Sequence, residues 1–240
     1  MQIALRAENI TVRFGGVVAV NNVSFTLPQG GILGLIGPNG AGKTTLFNAA
    51  TGFTSMAEGR VDFFDKDVTH YPAYKRARMG MGRTFQIERP YESLTVLENA
   101  LIPAFLHNRR RADAEKVAIH ALETVGLSDR AQQPASDLNL ARLRRLELAK
   151  ALATRPKVLF LDEIMAGLNP PALAAMIDLL RGLTATGLSI LMVEHIMEAI
   201  IKLSDHVLVL ASGNLIAEGK PQQVIELPQV VEAYLGTDSE

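Results

Sequence analysis

The sequence has no cysteine and no tryptophan, and aromatic residues make up only 5% of it. Without cysteine there are no disulfides, thiolate metal sites or thiol catalysis, which suits a reducing compartment. With so few aromatics the core must be aliphatic, and 48% of the 240 residues are hydrophobic, ample for a buried core, while the length allows one large domain or two small ones. An excess of either charge is missing too. Lys and Arg number 24 against 25 Asp and Glu, a formal net charge of −1, so no general electrostatic grip on nucleic acid or anionic membrane is expected. Residues 14–42 carry no charge, yet Asn21, Asn22, Pro28, Gln29 and many glycines interrupt them, so they lack the roughly 20 apolar residues of a spanning helix. Arg6 and Glu8 precede any apolar signal core. A soluble, cytosolic chain is expected.

Residues 3–36 read as strands. Ile3 and Leu5 alternate with polar neighbours, and Ile10-Thr11-Val12-Arg13-Phe14 runs to a Gly15-Gly16 turn. Residues 17–20 and 23–27 follow, then a turn at Gln29-Gly30-Gly31. Short strands joined by glycine turns predict an antiparallel sheet. Ile32-Leu33-Gly34-Leu35-Ile36 is a continuous apolar run, as in a strand buried on both faces. Residues 98–153 are mostly helical in pattern, with Arg109-Arg110-Arg111 in the most polar stretch. Two more buried-strand runs, at 158–161 and 189–193, flank a helical segment over 171–183 and predict a βαβ unit. Gly213-Asn214 reads as a two-residue hairpin turn, and short helices near 221–227 and 229–235 follow.

Gly37-Pro38-Asn39-Gly40-Ala41-Gly42-Lys43-Thr44 fits the pattern G-x-x-x-x-G-K-[ST], between a buried strand and a helical run starting at Thr45. Glycines let backbone N–H groups turn inward around phosphate oxygens, and the helix N-terminus adds partial positive charge. Lys43 is placed to reach the β- and γ-phosphates, and the Thr44 hydroxyl to ligate Mg²⁺. Such a loop needs a carboxylate at the end of a neighbouring strand, and Asp162-Glu163 supplies it. Because successive strand residues point to opposite sides, Asp162 is assigned to the Mg²⁺ shell and Glu163 to accepting a proton from the attacking water. His195 directly follows a buried run, at the strand end where open α/β sheets bind ligands; there it would contact a γ-phosphate oxygen or the attacking water. His206 opens a hairpin strand and reads as structural.

Taken together, these residues resemble the nucleotide-binding subunit of an ABC transporter, over nearly the whole chain. Phe14 matches the family's adenine-stacking aromatic, and residues 37–45, through Thr45, its Walker A loop. Gln86, within Arg83-Thr84-Phe85-Gln86, matches the Q-loop glutamine that serves both metal and catalysis. Asp162 and Glu163 match Walker B and the catalytic glutamate, Ala166-Gly167-Leu168-Asn169 the D-loop, and His195 the switch histidine. The resemblance implies an α/β fold: a P-loop NTPase (RecA-like) core with an N-terminal antiparallel β-subdomain and an inserted α-helical subdomain. One ABC ATPase domain would span 1–240, with 1–86 and 154–240 as core and 87–153 as the helical part. ATP and Mg²⁺ are implied, as are a second ATPase subunit in a head-to-tail dimer, two membrane permeases and an external solute-binding protein. The chain would lie on the inner face of a bacterial plasma membrane. Arg-Thr-Phe-Gln, Ala-Gly-Leu-Asn-Pro at 166–170 and the ending Val231-Glu232-Ala233-Tyr234-Leu235-Gly236 look like the LivG-like ATPases of branched-chain amino-acid importers.

The family signature Leu-Ser-Gly-Gly-Gln is replaced here by Leu138-Asn139-Leu140-Ala141-Arg142. Asn139 is expected to cap the following helix, whose positive end would still face the phosphate of the other subunit's ATP. Leu140 and Ala141 keep their N–H groups but lose glycine's freedom, and Arg142 adds a charge. Arg144 and Arg145 read as a solvated helix face, and Arg109-Arg110-Arg111 as the outer surface of the helical part. Residues 87–98, with Tyr91 and Leu94, form the expected groove for permease coupling helices. Ile164 stands where the family has proline, and Asn169 where aspartate is common. Rival readings are a lipopolysaccharide-export ATPase, which shares the core and ending, and a soluble non-hydrolysing ATP sensor. DNA- or ribosome-acting ATPases are disfavoured by the missing coiled coils and the single cassette. A GTPase switch is disfavoured because Asn-Lys-x-Asp is absent.

Overall fold

A computed structural model describes residues 2–84 and 90–235. In chain order the elements are β1 (Ile3–Phe14), β2 (Val17–Pro28), β3 (Ile32–Ile36), α1 (Lys43–Thr51), β4 (Glu58–Phe63), β5 (Lys66–Asp67), α2 (Ala73–Met79) and β6 (Met81–Arg83). There follow α3 (Val96–Ala104), α4 (Arg111–Thr124), α5 (Leu140–Leu152), β7 (Val158–Asp162), α6 (Pro170–Ala185), β8 (Ser189–Val193) and α7 (Met197–Leu203). The chain continues through β9 (His206–Ala211), β10 (Asn214–Gly219), α8 (Pro221–Val224) and α9 (Pro228–Leu235). Two sheets result. An antiparallel sheet has the order β2-β1-β4-β5, and a mostly parallel one the order β10-β9-β3-β8-β7-β6.

The apolar strands explain the layering. Along β3, β7, β8 and β9 successive side chains point to opposite faces of the second sheet, and both faces are buried. Leu33, Leu35, Val158, Phe160, Leu191 and Leu208 join β1, β2 and α1 in one core. Ile32, Ile36, Leu159, Leu161, Ile190 and Val207 join α6, α7 and the helices of the middle segment in the other. Helix α1, carrying Leu46 and Phe47, is thus held between the two sheets, with the Phe47 ring edge-on to Phe160 at 5.4 Å.

Where the structure differs from the sequence reading, the reasons are local. The short N-terminal strands are two long ones, interrupted by bulges at which Asn9 and Asn22 take φ of 52° and 51°; Ser24 and Thr11 hydroxyls accept their N–H groups. The last hairpin turns at Ser212-Gly213, not Gly213-Asn214, because both turn residues have positive φ and Asn214 already pairs with Ala211. Helix α6 starts at Pro170, capped by the Asn169 side chain, whose Oδ1 accepts from Ala172 N–H at 3.0 Å. The expected βαβ unit is present, since β7 and β8 are parallel neighbours on either side of α6.

Candidate functional site

The loop 37–42 leaves β3 at the end of the parallel strands. At Gly37, φ is 146° and a Cβ would lie 2.1 Å from the Leu210 carbonyl oxygen; at Gly42, φ is 99° and a Cβ would meet Ala19 O at 2.5 Å. Only glycine fits either place. Lys43 is buried and folds its Nζ back to donate to Gly37 O at 2.7 Å and Pro38 O at 2.8 Å. Burial lowers its pKa, while the charges of Glu163 and Asp162 oppose that shift. The loop borders a cleft of about 520 Å³ lined by Asn39, Gly40, Ala41, Gly42, Lys43, Thr44, Thr45, Glu163 and His195. Pro38 supplies a carbonyl to Lys43 from the loop itself.

Opposite the loop, Asp162 ends β7 and is 2% exposed. Its N–H donates to the Thr84 hydroxyl at 3.2 Å, and Arg83 Nη2 lies 3.5 Å from Oδ2. Burial pushes the Asp162 carboxyl up, Arg83 pulls it down and Glu163 pushes it up again. Glu163 does not continue the strand: its φ is 49°, so a left-handed step, and not strand alternation, separates the two carboxylates. That step brings Glu163 Oε1 to 2.6 Å from His195 Nε2. The sequence reading gave His195 a phosphate or a water as neighbour; its present partner is the Glu163 carboxylate.

A divalent cation is implied by such a site, and the donors fit one. Asp162 Oδ1 is buried with no hydrogen-bond partner among the described residues, an anionic oxygen of the kind a hard cation takes up. The Thr44 hydroxyl lies at the start of α1 on the same cleft. Among the described residues no cluster of three or more His, Asp or Glu could hold a metal alone.

Other expected site residues are dispersed. Phe14 is 54% exposed at the tip of the β1–β2 hairpin, paired with Val17, which itself borders the cleft. Gln86 lies outside the described residues, as do 87–89 of the expected permease groove. Tyr91 is exposed, and Asn99, fully buried, accepts from its N–H and donates to its carbonyl, fixing that segment. Asn139 caps α5 as expected, accepting from Arg142 N–H at 3.1 Å. With Ala141 and Arg142 it borders a separate recess of about 280 Å³, and Leu140 is 40% exposed beside it. Arg109-Arg110-Arg111 are exposed. Arg144 and Arg145 are not a solvated face. Arg144 is 8% exposed and donates to Ala166 O at 3.2 Å, and Arg145 donates to Val125 O at 3.0 Å. Helix α5 packs that face against the loop after β7 and the end of α4, which the single-residue charge pattern does not reveal.

Four residues at the site escape the sequence reading. Arg83 lies between the Phe47 and Phe53 rings, at 4.6 and 4.8 Å, and donates to Asn48 Oδ1 at 2.6 Å, tying α1 to Asp162. Glu194, 1% exposed, accepts from Met165 N–H at 2.9 Å and so holds the loop that carries Glu163. Ser212 and Gly213 border the cleft, with Gly213 N–H donating to Ala41 O at 3.0 Å. The only signal for Glu194 was its place between a buried strand and His195.

Comparison with known proteins agrees with this geometry. Residues 20–166 match the ABC transporter family, and residues 214–240 a family described as branched-chain amino acid ATP-binding cassette transporter. The chain is 38% identical to the high-affinity branched-chain amino acid transport ATP-binding protein BraF of Pseudomonas aeruginosa, with 97% of each chain covered. It is equally similar to the LivG protein of the same description from Escherichia coli, again at 38% and 97% of each chain. A crystal structure of the ADP conformation of an ATP-binding cassette of an ABC transporter has a TM-score of 0.91 to it at 33% identity, covering 98% of this chain and 100% of that one. The chain belongs to the ABC transporter family and is one of its ATP-binding cassettes.

Proposed function

We propose that the chain is the ATP-hydrolysing subunit of a membrane importer for branched-chain or other hydrophobic amino acids, or related small organic solutes. The observation that carries this reading is the convergence of the glycine loop and the Glu163–His195 pair on one cleft, with buried Asp162 near enough for its charge to act on Lys43. The names of its relatives support the solute class. Backbone N–H groups of residues 39–44 would hold the phosphates. Lys43 would exchange its two carbonyl partners for β- and γ-phosphate oxygens. Thr44 and Asp162, with Gln86, would hold Mg²⁺, which when bound draws charge off the phosphate oxygens. Glu163 would take the proton of the attacking water, and His195, already on its carboxylate, would keep that carboxylate aimed and stabilise the developing charge. Phe14 would stack on the adenine.

On this reading residues 87–153 form the helical subdomain that docks on two permeases, and 1–86 with 154–240 the nucleotide core. Asn139, Leu140, Ala141 and Arg142 would face the ATP of a second ATPase subunit. Among the described residues no helix is long and apolar enough to cross a membrane, so attachment to the inner face of the plasma membrane would run through the permeases. Closure on ATP is the working step and hydrolysis resets it.

The test is phosphate release with Mg-ATP by the parent, Glu163→Gln and Lys43→Ala. Glu163→Gln should bind ATP and lose roughly 10²–10⁴-fold in turnover, the range for a general base, while Lys43→Ala should lose binding. Equal turnover by parent and Glu163→Gln would remove Glu163 from the chemistry.

A further inference from the structure

The first glycine of the phosphate loop has a partner from the far end of the chain. Gly37 lies one residue beyond β3, and its N–H donates to the Tyr234 hydroxyl oxygen of α9 at 2.8 Å. An N–H just past a strand end is a donor with no place in the ladder, and leaving it unsatisfied when buried is costly. Gly37 cannot retreat, because the Leu210 carbonyl closes its other side. The helix bringing the hydroxyl is anchored: Val230 is 2% exposed in the helical core, and Tyr234 packs on that core through its ring. Burial raises the phenol pKa, so Tyr234 stays a neutral hydroxyl at physiological pH.

We propose that Tyr234 is a positioning residue of the nucleotide site: its hydroxyl fixes the Gly37 amide and thereby makes nucleotide affinity depend on the docking of the C-terminal helix α9. This rests on the reading of loop 37–44 as the ATP site. Two of the loop's carbonyls, of Gly37 and Pro38, hold Lys43 in the present structure, so the residue whose N–H Tyr234 holds also offers Lys43 its carbonyl, on the next peptide. Without the hydroxyl the Gly37 N–H loses its acceptor, and the first peptide of the loop is held less firmly. Only a fraction of molecules then present the binding arrangement, and apparent affinity falls by that fraction. One neutral hydrogen bond limits the fall to about 2- to 10-fold.

The experiment compares the full-length parent with Tyr234→Phe, which keeps the ring packing and deletes only the oxygen. Tyr74→Phe, the same deletion at an exposed tyrosine, serves as control. Two readouts are taken: the Kd for a fluorescent ATP analogue, and hydrogen exchange at the Gly37 amide without nucleotide. Tyr234→Phe should weaken binding by about 2- to 10-fold and speed exchange at Gly37, with Tyr74→Phe unchanged in both. Unchanged Kd and unchanged Gly37 exchange would overturn the proposal. So would a lowered melting temperature with unchanged Kd, since the hydroxyl would then serve stability alone. If the parent itself bound no nucleotide, the ATP-site reading would fail, and slow parent exchange at Gly37 that speeds in Tyr234→Phe would still separate the clamp from it.

Discussion

Glu194 accepts from the Met165 N–H, has Glu163 and Arg144 as charged neighbours, and is 1% exposed. Burial raises its pKa from 4.5 to about 7, with Glu163 adding to the rise and hydrogen bonds from the Met165 and His195 amides and the Arg144 charge opposing it. The folded protein therefore holds this proton more tightly than the unfolded chain does. Between those two values the folded state binds more protons, so stability is whole below about pH 4 and declines as pH rises towards 7. A shift of this size corresponds to about 3 kcal/mol. Glu194→Gln keeps an acceptor for Met165 and cannot ionise. Relative to the parent it should gain up to about 3 kcal/mol at pH 8 and little at pH 4, read from urea unfolding at both values. Parallel pH curves for the two proteins would show that Glu194 does not carry this charge cost. Its neighbour Arg144 donates to Ala166 O on the same loop, so two buried side chains from different elements hold the segment that aims Glu163.

Helix α1 shows how one element is fixed at both ends. Its N-terminus is the phosphate loop, without a side-chain cap, so its first N–H groups stay available to anions. Its C-terminus is closed by Arg76 from α2, 2% exposed, donating to Ala49 O at 3.1 Å, Ala50 O at 2.6 Å, Tyr71 O at 2.9 Å and Thr69 O at 2.9 Å. Burial lowers the guanidinium pKa to about 10, so it remains charged at neutral pH. Arg76→Met would take a donor from each of these carbonyls, of which Ala49 O keeps the Gly52 N–H. A loss of about 3 kcal/mol or more is expected by urea denaturation, with faster amide exchange over 49–52; a loss below about 1 kcal/mol would show that water replaces the guanidinium. Nothing in the sequence around Arg76 announces this role, because the four carbonyls come from two elements. The contrast with α1 itself is instructive. Its loop is legible because the chemistry demands fixed residue types at fixed spacing, and β3, β7 and β8 are legible because burial on both faces demands continuous apolar runs. Strands β4 to β6 are not: β5 has two residues, β6 three, and β4 opens with Glu58-Gly59-Arg60, so they form by pairing with longer neighbours. Strand alternation, the sequence reason for separating Glu163 from Asp162, is not what the backbone does: Glu163 has φ of 49°, and Glu194 and Arg144 hold the loop that follows it.

At the scale of the whole molecule, the cleft and the recess beside Asn139 have no lining residue in common. One holds the phosphate loop, Glu163 and His195; the other holds the capped start of α5 with Arg142 and Arg145. A helix N-terminus bearing an added arginine favours anionic company, which on the proposed function would be the nucleotide of a second subunit. Two copies arranged head to tail would cover each cleft with the other's α5. The altered signature makes this a sharp question, because Asn139 has committed its carbonyl oxygen to the Arg142 N–H and only its amide group remains to meet a phosphate. Glu163→Gln, which should bind ATP without turning it over, is the form to examine by size exclusion with light scattering, with Lys43→Ala as the non-binding control. If Asn139 and Arg142 close on ATP, Glu163→Gln should be a monomer alone and a dimer with Mg-ATP, and Lys43→Ala a monomer in both. Replacing Arg142 by Ala in the Glu163→Gln background should then weaken the dimer, since that guanidinium is the one charge the signature contributes. A nucleotide-bound monomer at high concentration would refute closure between identical copies, and would assign the facing surface to a different ATPase whose own signature covers this cleft.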